Sequence, residues 1–110
     1  MKHDESKLQM SCVHYCKIKK YRTIKGNYEG KIDPRSGKRE NAMGYCKGSF
    51  DLMVELPNGI DVRFEFKSET GRMSDEQKDY QLFCKDSKRN YHVCRSINDF
   101  VNVLNKYIAQ

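Results

Sequence analysis

Phe50-Asp51-Leu52-Met53-Val54-Glu55-Leu56, then Pro57-Asn58-Gly59, then Ile60-Asp61-Val62-Arg63-Phe64-Glu65-Phe66-Lys67 is the stretch on which the reading of this chain turns. Phe50, Leu52, Val54 and Leu56 alternate with Asp51, Met53 and Glu55. After the break, Ile60, Val62, Phe64 and Phe66 alternate with charged residues. A period of two predicts two half-buried strands joined as a hairpin. If both apolar sets face one core, Phe50 pairs with Phe66, Leu52 with Phe64, Val54 with Val62 and Leu56 with Ile60. A slip of one residue would turn one strand inside out. The register leaves Pro57-Asn58-Gly59 as the loop, and hairpin loops of that length commonly end in a left-handed residue, a conformation open to Gly59.

On the opposite face this register sets Asp51 directly across from Glu65, with Cβ atoms about 5 Å apart. Lys67 follows two residues along. Facing carboxylates repel at a cost of roughly 0.2 to 1 kcal/mol, so stability alone gives little reason to place them there. A divalent cation removes the objection. Mg²⁺ takes hard oxygen ligands, uses few protein carboxylates and leaves its other positions to water and phosphate oxygens. Such an ion lowers the pKa of a bound water, and an ammonium at Lys67 can hold that nucleophile and offset developing charge. These are the parts that phosphodiester hydrolysis needs. Acid-x-lysine on an exposed strand face also arises as solvated ion pairs, Asp51 with Arg63 or Glu65 with Lys67, worth 0 to about 1 kcal/mol. The charge pattern by itself leaves both readings open.

Working outward, residues 5–20 read as a helix, with Leu8, Cys12, Tyr15 and Cys16 at helical spacing and Lys17, Lys19 and Lys20 at its end, where cations suit the helix dipole. Residues 23–48 hold Gly26, Gly30, Gly37, Gly44 and Gly48 with Asp33-Pro34 and many charges, and predict a long polar excursion with room for one short strand. After the hairpin, Ser74 and Gln77 have capping-box spacing and open a helix through Ser87 with Tyr80, Phe83 and Cys84 inward. A strand over 91–95 follows. Ser96 then caps a helix in which Ile97, Phe100, Val101, Leu104 and Ile108 form an apolar stripe. The order α-β-β-α-β-α, with a long loop after the first helix, predicts an α/β domain: a mixed sheet flanked by helices, with a β-α-β crossover after the hairpin.

The 110 residues suffice for one domain, and the formal net charge of +6, from 21 Lys and Arg against 15 Asp and Glu, points to a polyanionic partner. No stretch approaches the roughly 20 apolar residues of a membrane span, and Met1 to Glu5 lead into no apolar signal core, so no membrane partner and a cytoplasmic, reducing location are expected. The five cysteines form no Cys-x-x-Cys pair. Cys12 and Cys16, four apart, read as buried thiols or, with His14 and His92, as metal ligands; spacing favours the thiols.

The run Gly48-Ser49-Phe50-Asp51-Leu52-Met53-Val54, followed by Phe64-Glu65-Phe66-Lys67-Ser68-Glu69-Thr70-Gly71-Arg72-Met73-Ser74-Asp75-Glu76-Gln77, resembles the VRR-NUC family, the virus-type replication-repair nucleases of the PD-(D/E)xK superfamily. In that pattern an aspartate at the start of one strand and an acid-x-lysine on the next make the active site. A Gly-Arg-hydrophobic-Ser-x-x-Gln stretch then leads into a helix. Asp51, Glu65 and Lys67 match the first set, and Gly71, Arg72, Ser74 and Gln77 the second. The match is closest over residues 44–108 and departs at Phe50, where the family often has proline.

The resemblance implies a restriction-endonuclease-like core over residues 1–110, in which Asp51, Glu65 and the Phe66 carbonyl bind Mg²⁺ or Mn²⁺ and Lys67 serves the attacking water. It implies that Glu5, with Gln9 one turn on, completes the acidic cluster, although Glu5 also suits the dipole at a helix N-terminus. Gln77 reaches the site, caps its helix, or does both. The implied activity is endonuclease cleavage of DNA in replication, repair or recombination, on Holliday-junction-like or other branched DNA, by a homodimer. Flap, nick or duplex-end cleavage and a non-catalytic DNA-binding module are the alternatives. Lys17, Lys19, Lys20, Arg22, Lys47, Arg72, Ser74 and Lys78 are the candidate DNA contacts, with Lys25, Lys38 and Arg39 in the same basic clusters. Tyr21, Tyr28 and Tyr45 are candidates for stacking on unpaired bases.

Overall fold

The computed structural model describes residues 3–26 and 48–110. Along the chain come α1 (His3–Lys19), β1 (Arg22–Lys25), β2 (Leu52–Glu55), β3 (Asp61–Phe66), α2 (Asp75–Asp86), β4 (Tyr91–Cys94) and α3 (Ile97–Ile108). The expected order is present with one strand added. That strand, β1, is the short one for which the polar excursion left room, and it pairs antiparallel with β2. Tyr28, Lys38, Arg39, Tyr45 and Lys47 lie outside the described residues.

The sheet runs β1-β2-β3-β4, antiparallel through β3 and parallel between β3 and β4, as a crossover through α2 requires. Leu52 pairs with Phe64 and Val54 with Val62, as the alternation predicts. The Leu56 N–H donates to the Ile60 carbonyl at 2.9 Å, and Gly59 takes the left-handed conformation with φ 87°. Asn58 steadies the loop: its Oδ1 accepts from the Ile60 N–H at 3.3 Å, and its Nδ2 donates to the Tyr107 carbonyl at 3.0 Å, tying the hairpin to α3.

The register departs from expectation at the other end. The Asp51 N–H donates to the Phe64 carbonyl at 2.9 Å, although Phe64 already pairs with Leu52. Two successive residues thus oppose one, which is the pattern of a β-bulge. The expected Phe50–Phe66 pair does not form. Phe50 turns instead toward α2, its ring 6.4 Å from that of Tyr80, and the Phe66 N–H finds the Asp51 carboxylate at 2.9 Å in place of a strand carbonyl.

On one sheet face, Cys12 and Cys16 of α1 and Phe100 and Leu104 of α3 bury against Leu52, Val54, Val62, Phe64, Phe66 and Cys94. Phe64 is the hub, with its ring 4.5 Å from Phe100 and stacked at 6.3 Å on Phe66. The stripe of α3 is rotated from the expected one. Val103 and Tyr107 join Phe100, Leu104 and Ile108 on the core, while Ile97 is 36% exposed, because the Tyr107 hydroxyl turns that face toward His92 at 2.8 Å.

Helix α2 covers the opposite face through buried Cys84 and through Tyr80, which meets Tyr91 edge-on at 5.7 Å. Phe83, expected inward, is 51% exposed. Tyr80 and Cys84 lie one turn apart and take the sheet, while Phe83, about 100° from Cys84 around the helix, points away and carries the Arg89 guanidinium 5.0 Å above its ring. No helix among the described residues is long and apolar enough to cross a membrane.

Gly59→Ala should cost about 1 to 2 kcal/mol in a denaturant titration, the penalty for placing a Cβ in the left-handed region, while leaving the sheet intact by circular dichroism.

Candidate active site

Side-chain alternation along β3 sends Phe64 and Phe66 into the core and Glu65 to the other face, beneath α2. There Glu65 is 2% exposed. The bulge brings the Asp51 carboxylate up beside it, held by the Phe66 N–H. Lys67 follows, its Nζ 3.8 Å from Glu65 Oε2, a loose ion pair too long for a hydrogen bond.

Gln77 closes the site from above. Its Nε2 donates to Glu65 Oε2 at 2.8 Å while its Oε1 accepts from the Ser74 N–H at 2.8 Å, and Ser74 Oγ accepts in return from the Gln77 N–H at 3.2 Å. One side chain therefore does both things left open by the sequence, completing the capping box with one end and orienting the buried acid with the other. Gly48 makes the approach possible. Its φ is 77°, and a Cβ there would fall 2.7 Å from Glu76 Cβ, so the chain leading to Asp51 presses against the first turn of α2.

Glu65 Oε1 is buried and meets no hydrogen-bond donor among the described residues. A buried, unpaired carboxylate oxygen is costly. Burial first, then the charge and hydrogen bonding of Asp51, with a further contribution from Glu5, raise the Glu65 carboxyl to about 8, against the opposing pull of Lys67. An orphaned carboxylate oxygen next to a second carboxylate is what a hard cation with oxygen ligands would satisfy, so these residues fit Mg²⁺ or Mn²⁺. Glu5, Asp51 and Glu65 do not close into a ready cage; no three His, Cys, Asp or Glu side chains do so among the described residues. Two carboxylates suffice for Mg²⁺, which keeps several waters.

Glu5 does arrive at this end of the molecule. Its Oε2 accepts from the Ser68 N–H at 3.4 Å and would stand 3.2 Å from a Cβ on Gly71. It therefore braces the loop that follows Lys67. Arg95 grips the same loop from the other side, with Nη1 donating to the carbonyls of Ser68 at 2.7 Å and Gly71 at 2.8 Å. Sequence reasoning missed Arg95, which belongs to no motif. It also missed Tyr91, whose hydroxyl is buried without a hydrogen-bond partner among the described residues, and whose pKa is raised first by burial and then by Glu65 and Asp51. The parallel pairing of Arg63 with Tyr91 puts Tyr91 on the face of Glu65, a signal available only once that register is known.

The candidate DNA contacts divide. Arg72, Ser74 and Lys78 are exposed around the start of α2, beside the acids. Lys17, Lys19, Lys20 and Arg22 are exposed at the far end of α1, where 12 residues of helix separate Lys17 from Glu5, roughly 18 Å at 1.5 Å per residue. Tyr21 is half-buried against the core, at the far end of α1 from the acids. Cys12 and Cys16 are core thiols at 0% exposure, and burial pushes Cys16 up to about 12. His14 is exposed and His92 bonds Tyr107, so the imagined metal set is not brought together.

A solved structure described as a VRR_NUC domain matches this chain with a TM-score of 0.70 at 20% identity, covering 94% of this chain and 97% of the other. The chain has the VRR_NUC fold. No family model matches it, and neither does any curated protein sequence. At that identity the likeness establishes the architecture, and the activity must be argued from the site. The architecture itself, a mixed four-stranded sheet between helices, fits the restriction-endonuclease-like α/β core expected from the sequence.

Because the Glu65 carboxyl titrates higher in the folded protein than in the unfolded one, the native state holds the extra proton between the two values. Its contribution to stability is therefore complete below about pH 4.5 and is lost as pH rises through about 8. In EDTA, Glu65→Gln should flatten that decline in a pH series of thermal melts and raise Tm at pH 8. A decline unchanged by Glu65→Gln would assign it to another group.

Proposed function

We propose that this protein is a divalent-metal-dependent endonuclease that hydrolyses phosphodiester bonds in DNA. The observation that carries the reading is the buried Glu65 carboxylate, with one oxygen unsatisfied, beside Asp51 and 3.8 Å from the Lys67 ammonium. A stability-driven sequence would replace such a group, and a metal site requires it.

Asp51, Glu65 and the Phe66 carbonyl would hold the ion. When bound, Mg²⁺ or Mn²⁺ polarises the scissile phosphate and lowers the pKa of a bound water. Lys67 orients that water with its N–H donors and offsets the negative charge gathering on the phosphate. Gln77 keeps the Glu65 carboxylate in one orientation, which would leave Oε1 available to the ion. Glu5 and Arg95 set the loop after Lys67, and Arg72, Ser74 and Lys78 meet the phosphates on either side of the cut.

The substrate we favour is branched DNA, cut by a pair of copies related by a two-fold axis, which would set two active sites on a symmetric junction. Flap, nick or duplex-end cleavage uses the same chemistry with one active site.

Labelled four-way junction, flap and plain duplex, each incubated with Mg²⁺, Mn²⁺ or EDTA, test the proposal. Cleavage should require the metal and fall at least about 100-fold in Lys67→Ala, the scale of losing a positioned electrostatic group, with the melting profile retained. Binding of all substrates without cleavage would leave a DNA-binding module in place of an enzyme.

A further inference from the structure

Beside the candidate active site runs an open groove of about 590 Å³ between α2, β4 and α3. It begins at Lys78 and Tyr91, the first adjacent in sequence to Gln77 and the second coupled electrostatically to Glu65. Lys85 and Arg89 continue its wall, His92 and Tyr107 line its floor, and no Asp or Glu among the described residues lines it. In a chain with 15 acids this is a marked segregation.

The sequence of α2 shows how the segregation arises. Lys78 and Lys85 are seven residues apart, two helical turns, and so share a stripe, while Arg89 joins the lining from the turn after the helix, where its guanidinium also packs over Phe83. Asp75, Asp79 and Asp86 recur at i, i+4 and i+11 on a neighbouring stripe turned away from the groove. The helix therefore presents a cationic side to the groove and an anionic side elsewhere. From Lys78 to Lys85 the rise is roughly 10 Å, several phosphate spacings of a strand at about 3.4 Å each.

We propose that this groove seats a single-stranded arm of the DNA substrate, leading it to the Asp51–Glu65 site; the inference rests on the nuclease reading. Lys78, Lys85 and Arg89 contact phosphates spaced along the strand, and Tyr91, His92 and Tyr107 offer the ring surfaces on which unpaired bases stack. A duplex, whose bases stay stacked inside it, presents no unpaired base to these rings. A flapped or tailed substrate, unlike a four-way junction whose arms are all duplex, would thus be told from a plain duplex by an arm that only the groove can accept.

The test compares the full-length wild type with Lys85→Glu/Arg89→Glu, both positions exposed and apart from the acids. Fluorescence anisotropy in EDTA measures binding of a tailed duplex and of a blunt duplex over a range of salt, and cleavage of the blunt duplex in Mn²⁺ is followed in parallel. The double variant should lose about tenfold or more in affinity for the tailed substrate, with the slope of log affinity against log salt shallower by about 1.4 for two lost contacts to a single strand. Blunt-duplex binding and cleavage should stay within about twofold. Equal losses on both substrates, or none on the tailed one, would overturn the groove assignment while blunt-duplex cleavage keeps the nuclease reading. Absence of all DNA binding and cleavage in the wild type would overturn both. Lys85→Gln/Arg89→Gln, which removes the charges without reversing them, repeats the comparison if the first variant melts early.

Discussion

A carboxylate held under a helix in the middle of a sheet face, with one of its oxygens meeting no donor among the described residues, is the constraint on which the rest of this molecule depends. Glu65 cannot be relocated without shifting β3, because its neighbours Phe64 and Phe66 are committed to the core on the other side. It cannot be solvated either, since α2 lies over it. What remains is to hold it in place. The bulge at Asp51 supplies the second carboxylate, Gln77 fixes one oxygen, and Lys67 stands near enough to moderate the charge without quenching it.

These local devices interlock with the fold. The bulge that aims Asp51 also turns Phe50 onto Tyr80, so the distortion that makes the site is itself packed against α2. The capping box that starts α2 is the same hydrogen-bonded unit that orients Glu65. The loop after Lys67 is gripped by Glu5 from the first helix and by Arg95 from the end of the last strand, so residues more than 60 positions apart meet over it. Loss of any one support would be felt in the geometry of the acids before it was felt in the core, which belongs chiefly to the other face.

Much of this was legible in the sequence because strong periodicities carried it. The alternation of Leu52, Val54, Val62 and Phe64 set the register, Gly59 set the turn, and Ser74 with Gln77 announced the cap. What could not be read depended on non-periodic detail. The bulge costs one unpaired residue and leaves no mark in an alternating pattern, so Phe50 was placed in the core when it lies against α2. Phe83 was assigned inward on hydrophobicity, though Tyr80 and Cys84 already filled the sheet-facing stripe. The basic run at Lys17 to Arg22 begins on the helix that bears Glu5 but lies at its far end, a separation from Glu5 that follows from helix length alone. Tyr91 and Arg95 reach the site through the parallel β3–β4 pairing, whose register no local signal encodes.

The central claim, that Asp51 and Glu65 form a divalent-cation site, is tested most directly by Mn²⁺ titration followed by electron paramagnetic resonance on the wild type, Asp51→Asn and Glu65→Gln, without DNA. The account predicts saturable Mn²⁺ binding that each substitution weakens by an order of magnitude or more, with the fold retained. Binding of equal strength in all three proteins, or none in the wild type with or without DNA, would contradict it.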